Sequence, residues 1–206
     1  MKTIVAASQK GGSGKTTLAR NVAAALAVDA KVILIDLDPQ RGLSQWYERR
    51  PDDGVSEITI LPDTDYQTIL QRWDVLDDNF DYAIIDTPPS TTDWLPLIVE
   101  KSDLVCIPVK LTADDYLSAK NTVEAANDTP YLIVPSMADT RSSIAKATLN
   151  QLEKLGPVTP RIGQRAIYSE AAFNGLGVTE LKNKAAAQEM AELTAAIKSK
   201  LSATEA

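Results

Sequence analysis

An α/β domain with a mostly parallel, twisted sheet and helices on both faces is the fold class that the sequence predicts. Three observations carry it. Apolar runs without polar alternation recur along the chain (TIVA, KVILID, DYAIID, LVCIPV, YLIVP), and strands apolar at every position are buried on both faces, as in parallel sheets. Segments with helical spacing separate the runs, as crossovers between parallel strands require. A cluster of glycines stands between the first run and the first helical segment.

Taken in order, Lys2–Ala7 reads as a strand rich in β-branched residues, and Lys15–Val28 as a helix with Leu18, Val22 and Leu26 on one side. The strand Lys31–Asp36 ends in a carboxylate. Gln40–Arg50 reads as a helix, broken by Pro51-Asp52-Asp53-Gly54. A short strand, Glu57–Leu61, and a helix, Asp65–Leu76, lead to the strand Asp81–Asp86, which again ends in a carboxylate. Leu104–Val109 and Tyr131–Val134 are two more buried strands. Helices are expected at about 92–101, 113–126 and 142–154, and closing helices at 164–173 and 185–201. No linker, repeat or low-complexity stretch interrupts residues 1–206, so one domain is expected.

Composition narrows the chemistry. The 206 residues are 44% hydrophobic and 24% charged, ordinary for a globular domain. With no histidine and only Cys106, neither Ser-His-Asp nor Cys-His catalysis is available, nor a structural zinc site. No disulfide can form within the chain, which fits a reducing cytosol. Cys106 lies in an apolar run and reads as a small buried hydrophobe. The first apolar run is too short for the core of a signal peptide. No stretch approaches the roughly 20 apolar residues of a transmembrane helix. A net charge of −7 does not announce a nucleic-acid binder, and it does not exclude a local basic patch.

The glycine cluster carries the chemistry. Ser8-Gln9-Lys10-Gly11-Gly12-Ser13-Gly14-Lys15-Thr16-Thr17 joins the first strand to the first helix. Counted back from Gly14-Lys15-Thr16, the leading glycine of G-x-x-x-x-G-K-[ST] falls on Gln9, so this is a deviant phosphate loop. Its physics is intact. The glycines let successive N–H groups turn inward toward an anion, and the helix N-terminus adds the positive end of its dipole. Lys15 is placed to reach the β- and γ-phosphates, and the Thr16 hydroxyl to bind Mg²⁺. Asp36, Asp38 and Asp86 end strands at the edge where parallel sheets bind ligands. The lesser alternative is that Asp86 caps its strand, and Asp36 or Asp38 the following helix. The chain thus reads as a single-domain P-loop NTPase.

Lys10-Gly11-Gly12-Ser13-Gly14-Lys15-Thr16-Thr17, with Asp36-Leu37-Asp38-Pro39-Gln40 and Ile85-Asp86-Thr87-Pro88-Pro89, resembles the ParA/MinD family of deviant Walker-A ATPases. The DxDPQ segment is similar to the ParA branch, and the length resembles the small plasmid-partition ATPases. The segment Arg161–Ala171, with Gly175 and Gly177, resembles their late region. The resemblance implies that residues 10–17 bind ATP and that Lys10 crosses a dimer interface to the partner's phosphates. Asp38 would orient the attacking water, Asp36 would support the metal region, and Asp86 would hold a Mg²⁺-bound water. Gln40 and Pro88-Pro89 would lie in segments that sense the γ-phosphate. From the residues alone, Lys10 reads as well as a solvated loop lysine.

The resemblance further implies an ATP-dependent homodimer that binds DNA without sequence preference, and a ParB-like or small centromere-binding adaptor that stimulates hydrolysis. The implied location is cytoplasmic and nucleoid-associated. Arg141, Lys146, Arg161, Arg165, Lys182 and Lys184 are candidate DNA-phosphate contacts, each of which also reads as a solvated charge. The cargo could be a plasmid, a carboxysome or a protein cluster. A MinD-like membrane helix at 185–201 is the alternative. It lacks aromatic residues, and Met190, Leu193, Ile197 and Leu201 read instead as a core-facing stripe. Trp46, Trp73 and Trp94 read as packing residues. A metabolic enzyme built on the same loop is a third reading, opposed by the DxDPQ segment and by the lack of cysteine ligands for an iron–sulfur cluster.

Overall fold

The computed structural model describes residues 1–61, 65–89 and 92–203. Its centre is a six-stranded sheet made of β1 (Lys2–Ala6), β2 (Val32–Asp36), β3 (Ile58–Leu61), β4 (Tyr82–Asp86), β5 (Leu104–Val109) and β6 (Tyr131–Pro135). The spatial order is β3-β2-β4-β1-β5-β6, and every pairing is parallel. The sheet is therefore parallel throughout, where the sequence predicted mostly parallel.

Alternation along each strand divides the interior into two layers. Ile4, Ala6, Leu34, Ile84, Cys106 and Val134 face α1 (Lys15–Leu26), α2 (Gly42–Tyr47), α7 (Ala166–Phe173) and α8 (Lys184–Ala203). Val5, Ile33, Ile85, Ile107 and Ile133 face α3 (Tyr66–Asn79), α4 (Leu95–Glu100), α5 (Ala113–Ala126) and α6 (Ser143–Leu155). Successive strand side chains point to opposite faces, so strands covered on both sides must be apolar at every position. Cys106 is one of these, fully buried, and burial pushes its thiol up to about 12.

Helix starts follow from local capping. Asp65, Thr112 and Ser142 accept from the amides of Thr68, Asp115 and Ala145 at the starts of α3, α5 and α6. Four helices are shorter than their patterns suggest, α1 and α7 by two residues each and α2 and α4 by more. The helix expected over 40–50 begins only at Gly42, because Pro39-Gln40-Arg41 forms a turn in which the Arg41 amide donates to the Asp38 carbonyl (2.8 Å) and Arg41 is left-handed (φ 54°). The helix expected from 92 begins at Leu95, with Pro96 in its first turn. A 3₁₀ turn at Val178–Glu180, after α7, has no periodic signal and was not expected.

Met190, Leu193, Ile197 and Leu201 of α8 are buried against the α1 side of the sheet, as a core-packing helix requires. No helix among the described residues is long and apolar enough to cross a membrane. Trp46 is fully buried, Trp73 packs against the second layer, and Trp94 stacks on Tyr66 with ring centroids 5.6 Å apart.

Candidate functional site

Parallel register brings the strand ends together. Ala6 and Asp36 both lie opposite Asp86 across β4, so the loop leaving β1 and both terminal carboxylates meet at one edge. Residues 8–14 form the loop and α1 starts at Lys15. Gly12 (φ +69°) and Gly14 (φ +109°) take the left-handed conformations that turn the backbone back on itself. Gly14 has a second reason to lack a side chain, since a Cβ there would lie 2.5 Å from the Ser136 hydroxyl oxygen. Gly14 also offers no cap, and the first turn of α1 carries no acidic residue. The helix's first N–H groups therefore meet no competing carboxylate in that turn, as an anion site needs.

Lys15 is buried, and its Nζ donates to the carbonyls of Ser8 (3.2 Å) and Lys10 (3.5 Å), spanning the loop from inside. Burial lowers its pKa, while the Asp86 and Asp38 charges oppose the shift. The Thr16 hydroxyl donates to Asp86 Oδ2 at 2.6 Å. Asp86 is fully buried and is pushed up to about 7 by that burial, against the Thr16 hydrogen bond. Its Oδ1 has no partner. A buried carboxylate with one idle oxygen is costly, and the donor set of one hydroxyl and one idle carboxylate oxygen suits a hard cation. Among the described residues no cluster of three or more His, Cys, Asp or Glu could hold a metal, so an ion here would take the rest of its shell from water and phosphate.

Asp36 and Asp38 play different parts at the β2 end. Asp36 Oδ1 accepts from the Asp38 amide (3.1 Å), and Oδ2 accepts from the amide (2.8 Å) and hydroxyl (2.9 Å) of Ser44. Both oxygens are engaged, and Asp36 ties the DxD turn to α2. Among the described residues the Asp38 carboxylate accepts from the Gln40 amide alone (2.9 Å), and it lines an open cleft with Pro39 and Arg41. Lys10 stands at the loop's rim. It is 38% exposed, and its Nζ is 3.1 Å from Oδ2 of Asp115, a buried residue in the first turn of α5. Of the other loop residues, Ser13 is buried with an idle hydroxyl, and the Thr17 hydroxyl accepts from Arg20 (3.2 Å).

The six basic candidates separate. Arg141, Arg161 and Arg165 line one shallow cleft with Asp139, Thr140 and Glu189. Arg141 pairs with Asp139 (2.6 Å), holding that carboxyl down at about 2. Arg165 pairs with Glu189 (2.8 Å), and Arg161 donates to the Thr140 hydroxyl. Lys146, Lys182 and Lys184 are exposed and do not line this cleft. Sequence reasoning missed Asp115, Lys110, Arg20 and Ser136. Lys110 and Ser136 directly follow β5 and β6, so the strand-end rule that picked Asp86 would have found them. Arg20 and Asp115 carry no such signal.

The chain matches the model of the CobQ/CobB/MinD/ParA nucleotide-binding domain over residues 4–203. It is 30% identical over 204 residues to maintenance of carboxysome distribution protein A of Halothiobacillus neapolitanus, covering 93% of this chain and 94% of that one. Among solved structures, apo McdA of Cyanothece superposes with a TM-score of 0.82 at 22% identity, over 96% of this chain and 99% of that one. A plasmid partition protein of Borrelia burgdorferi bound to AMPPNP gives 0.81 at 18% identity, over 96% and 99%. A family match across nearly the whole chain, on a parallel sheet whose first loop is shaped for phosphate, shows that the chain belongs to the CobQ/CobB/MinD/ParA nucleotide-binding family, among its ParA/MinD P-loop ATPases.

Proposed function

We propose that the chain is a ParA-type positioning ATPase. Two copies would sandwich two ATP molecules, bind DNA without sequence preference, and be reset when an adaptor protein stimulates hydrolysis. The observation that carries the reading is Lys10. It belongs to the phosphate loop, yet its ammonium pairs with Asp115 of α5 while Lys15 donates to the loop's carbonyls. A lysine at the rim, partly exposed, has the reach to serve a second subunit's phosphates.

The chain's own residues would act as follows. Loop amides and Lys15 hold the triphosphate, and Lys10 of the second subunit adds charge where it develops in phosphoryl transfer. Asp38, held through one oxygen by the Gln40 amide, has the other free to orient the attacking water. Asp36 fixes that turn to α2. Thr16, and Asp86 through a water, would hold Mg²⁺, which when bound neutralises phosphate charge. Because Lys10 serves the dimer and not the monomer, ATP binds the dimer better and shifts the equilibrium toward it. Arg141, Arg161 and Arg165, gathered in one cleft, are the first candidates for DNA phosphate, with Lys146, Lys182 and Lys184 as flanking contacts. The carboxylate partners of Arg141 and Arg165 would have to be exchanged for phosphate. The cargo class follows the relatives, one named for carboxysome distribution and one for plasmid partition.

The test is DNA binding at several salt concentrations, with ATP, with ADP, and with the Asp38→Ala variant held in ATP. Binding that requires ATP, ignores sequence and falls steeply with salt is expected. A confirmed dimer that binds no DNA in any nucleotide state would overturn the reading.

A further inference from the structure

Beyond its last residue paired with β1, β5 carries the chain past the end of that strand. Ala6, the last residue of β1, lies opposite Cys106, and β5 continues through Val109. Lys110 is thus four residues further along, roughly 13 Å at strand rise, level with the phosphate loop. The Thr112 amide donates to the Lys110 carbonyl (2.9 Å), and the Thr112 side chain caps α5, so the exit from β5 is fixed in direction.

The Lys110 Nζ lies 3.8 Å from the point that a Cβ on Gly12 would occupy. Gly12, with its left-handed φ, is at the outer turn of the loop, two residues before the turn into α1. Lys110 is half-buried, and among the described residues its ammonium makes no hydrogen bond and no ion pair. The other two lysines here are committed, Lys15 to carbonyls of the loop and Lys10 to Asp115. A partly desolvated ammonium without an anionic partner is unfavourable until a ligand supplies one. The loop beside it is shaped to hold a polyanion.

We propose that Lys110 is a third phosphate-binding lysine of the nucleotide site, donating within its own chain to the outer phosphates of a bound nucleoside triphosphate. The assignment rests on the reading of the loop as an ATP site. It distinguishes phosphates, because Lys110 approaches from the Gly12 side, away from the helix start that holds the inner ones. Its charge therefore counts more for ATP than for ADP.

Calorimetric titration of ATP and ADP into the wild-type chain, Lys110→Gln and Lys110→Arg tests this, with thermal melting without nucleotide as a check on folding. Loss of a charged hydrogen bond predicts that Lys110→Gln binds ATP about tenfold more weakly or worse. ADP affinity should fall less than about threefold, and Lys110→Arg should recover most of the ATP affinity. Unchanged ATP binding in Lys110→Gln overturns the assignment. So does an equal loss for ATP and ADP, or a loss that arginine does not restore, since each marks a structural role. Should the wild-type chain itself bind no ATP, the ATPase reading fails first and takes this assignment with it.

Discussion

Arg50 and Glu180 form a buried clamp between the end of α2 and the 3₁₀ turn that follows α7. Their side chains are each 6% exposed, and two hydrogen bonds join them, at 2.7 and 3.1 Å. Arg50 also donates to the carbonyls of Ser56 (2.8 Å) and Gly175 (3.1 Å) and lies 4.9 Å over the Trp46 ring. Glu180 accepts in addition from the amides of Gly177 (2.7 Å) and Ser56 (2.9 Å). Replacing Arg50 by Met leaves a carboxylate buried without its counter-charge, a change that costs about 3–5 kcal/mol. With urea slopes of about 1–3 kcal/mol/M, the unfolding midpoint should fall by roughly 1–5 M. The double variant Arg50→Met/Glu180→Gln removes both charges, and the Gln carbonyl oxygen still accepts from one of the two amides, which bond different oxygens of Glu180. It should therefore lose less than the two single losses added, by about 2 kcal/mol or more.

The same clamp sets a pH dependence. Burial pushes the Glu180 carboxyl up, but the Arg50 guanidinium and the Gly177 and Ser56 amides outweigh it and hold the carboxyl below its usual range. The folded pKa lies below the unfolded one, so this stability is present above about pH 4.3 and is lost as pH falls through the folded value. Glu180→Gln should flatten that part of the acid-denaturation curve. Urea titrations from pH 3 to 7 measure both effects. An Arg50→Met midpoint within about 0.2 M of wild type, or single losses that simply add, would refute the argument.

Two more predictions concern the nucleotide loop. Gly14→Ala places a Cβ 2.5 Å from the Ser136 hydroxyl oxygen at φ +109°, so ATP affinity measured by calorimetry should drop about a hundredfold; adding Ser136→Gly relieves the clash but not the backbone strain, and should restore only part of it. Thr16→Ala removes the 2.6 Å donor to Asp86 and the hydroxyl proposed for Mg²⁺. ATP affinity should become nearly independent of added Mg²⁺, and a persistent Mg²⁺ response would show that the ion is held elsewhere.

Much of this was legible in the residues themselves. Strands such as Ile33–Ile35 and Val105–Ile107 are apolar at consecutive positions, and that pattern alone announces a sheet covered on both faces. The spacing of Gly12, Gly14, Lys15 and Thr16 announces a loop shaped for phosphate. Elements failed at their ends, where tertiary partners compete with periodicity. Gln40 and Arg41 look helical, yet Asp36 takes the Ser44 amide and draws the chain into a turn first. The turn at Val178–Glu180 has no period to read, and Glu180 exists there as the partner of Arg50, 130 residues away.

The sequence by itself determined the fold class, the phosphate loop and the carboxylates at the strand ends, because each is written in residues a few positions apart. Only the tertiary structure decided which groups face one another. It set Lys10 against Asp115, left Asp86 with an idle oxygen beside Thr16, and brought Lys110 level with Gly12. It also drew Arg141, Arg161 and Arg165 into one cleft. The physical reason is that such pairings depend on strand order and register, which are set by packing the whole sheet and which no local spacing encodes.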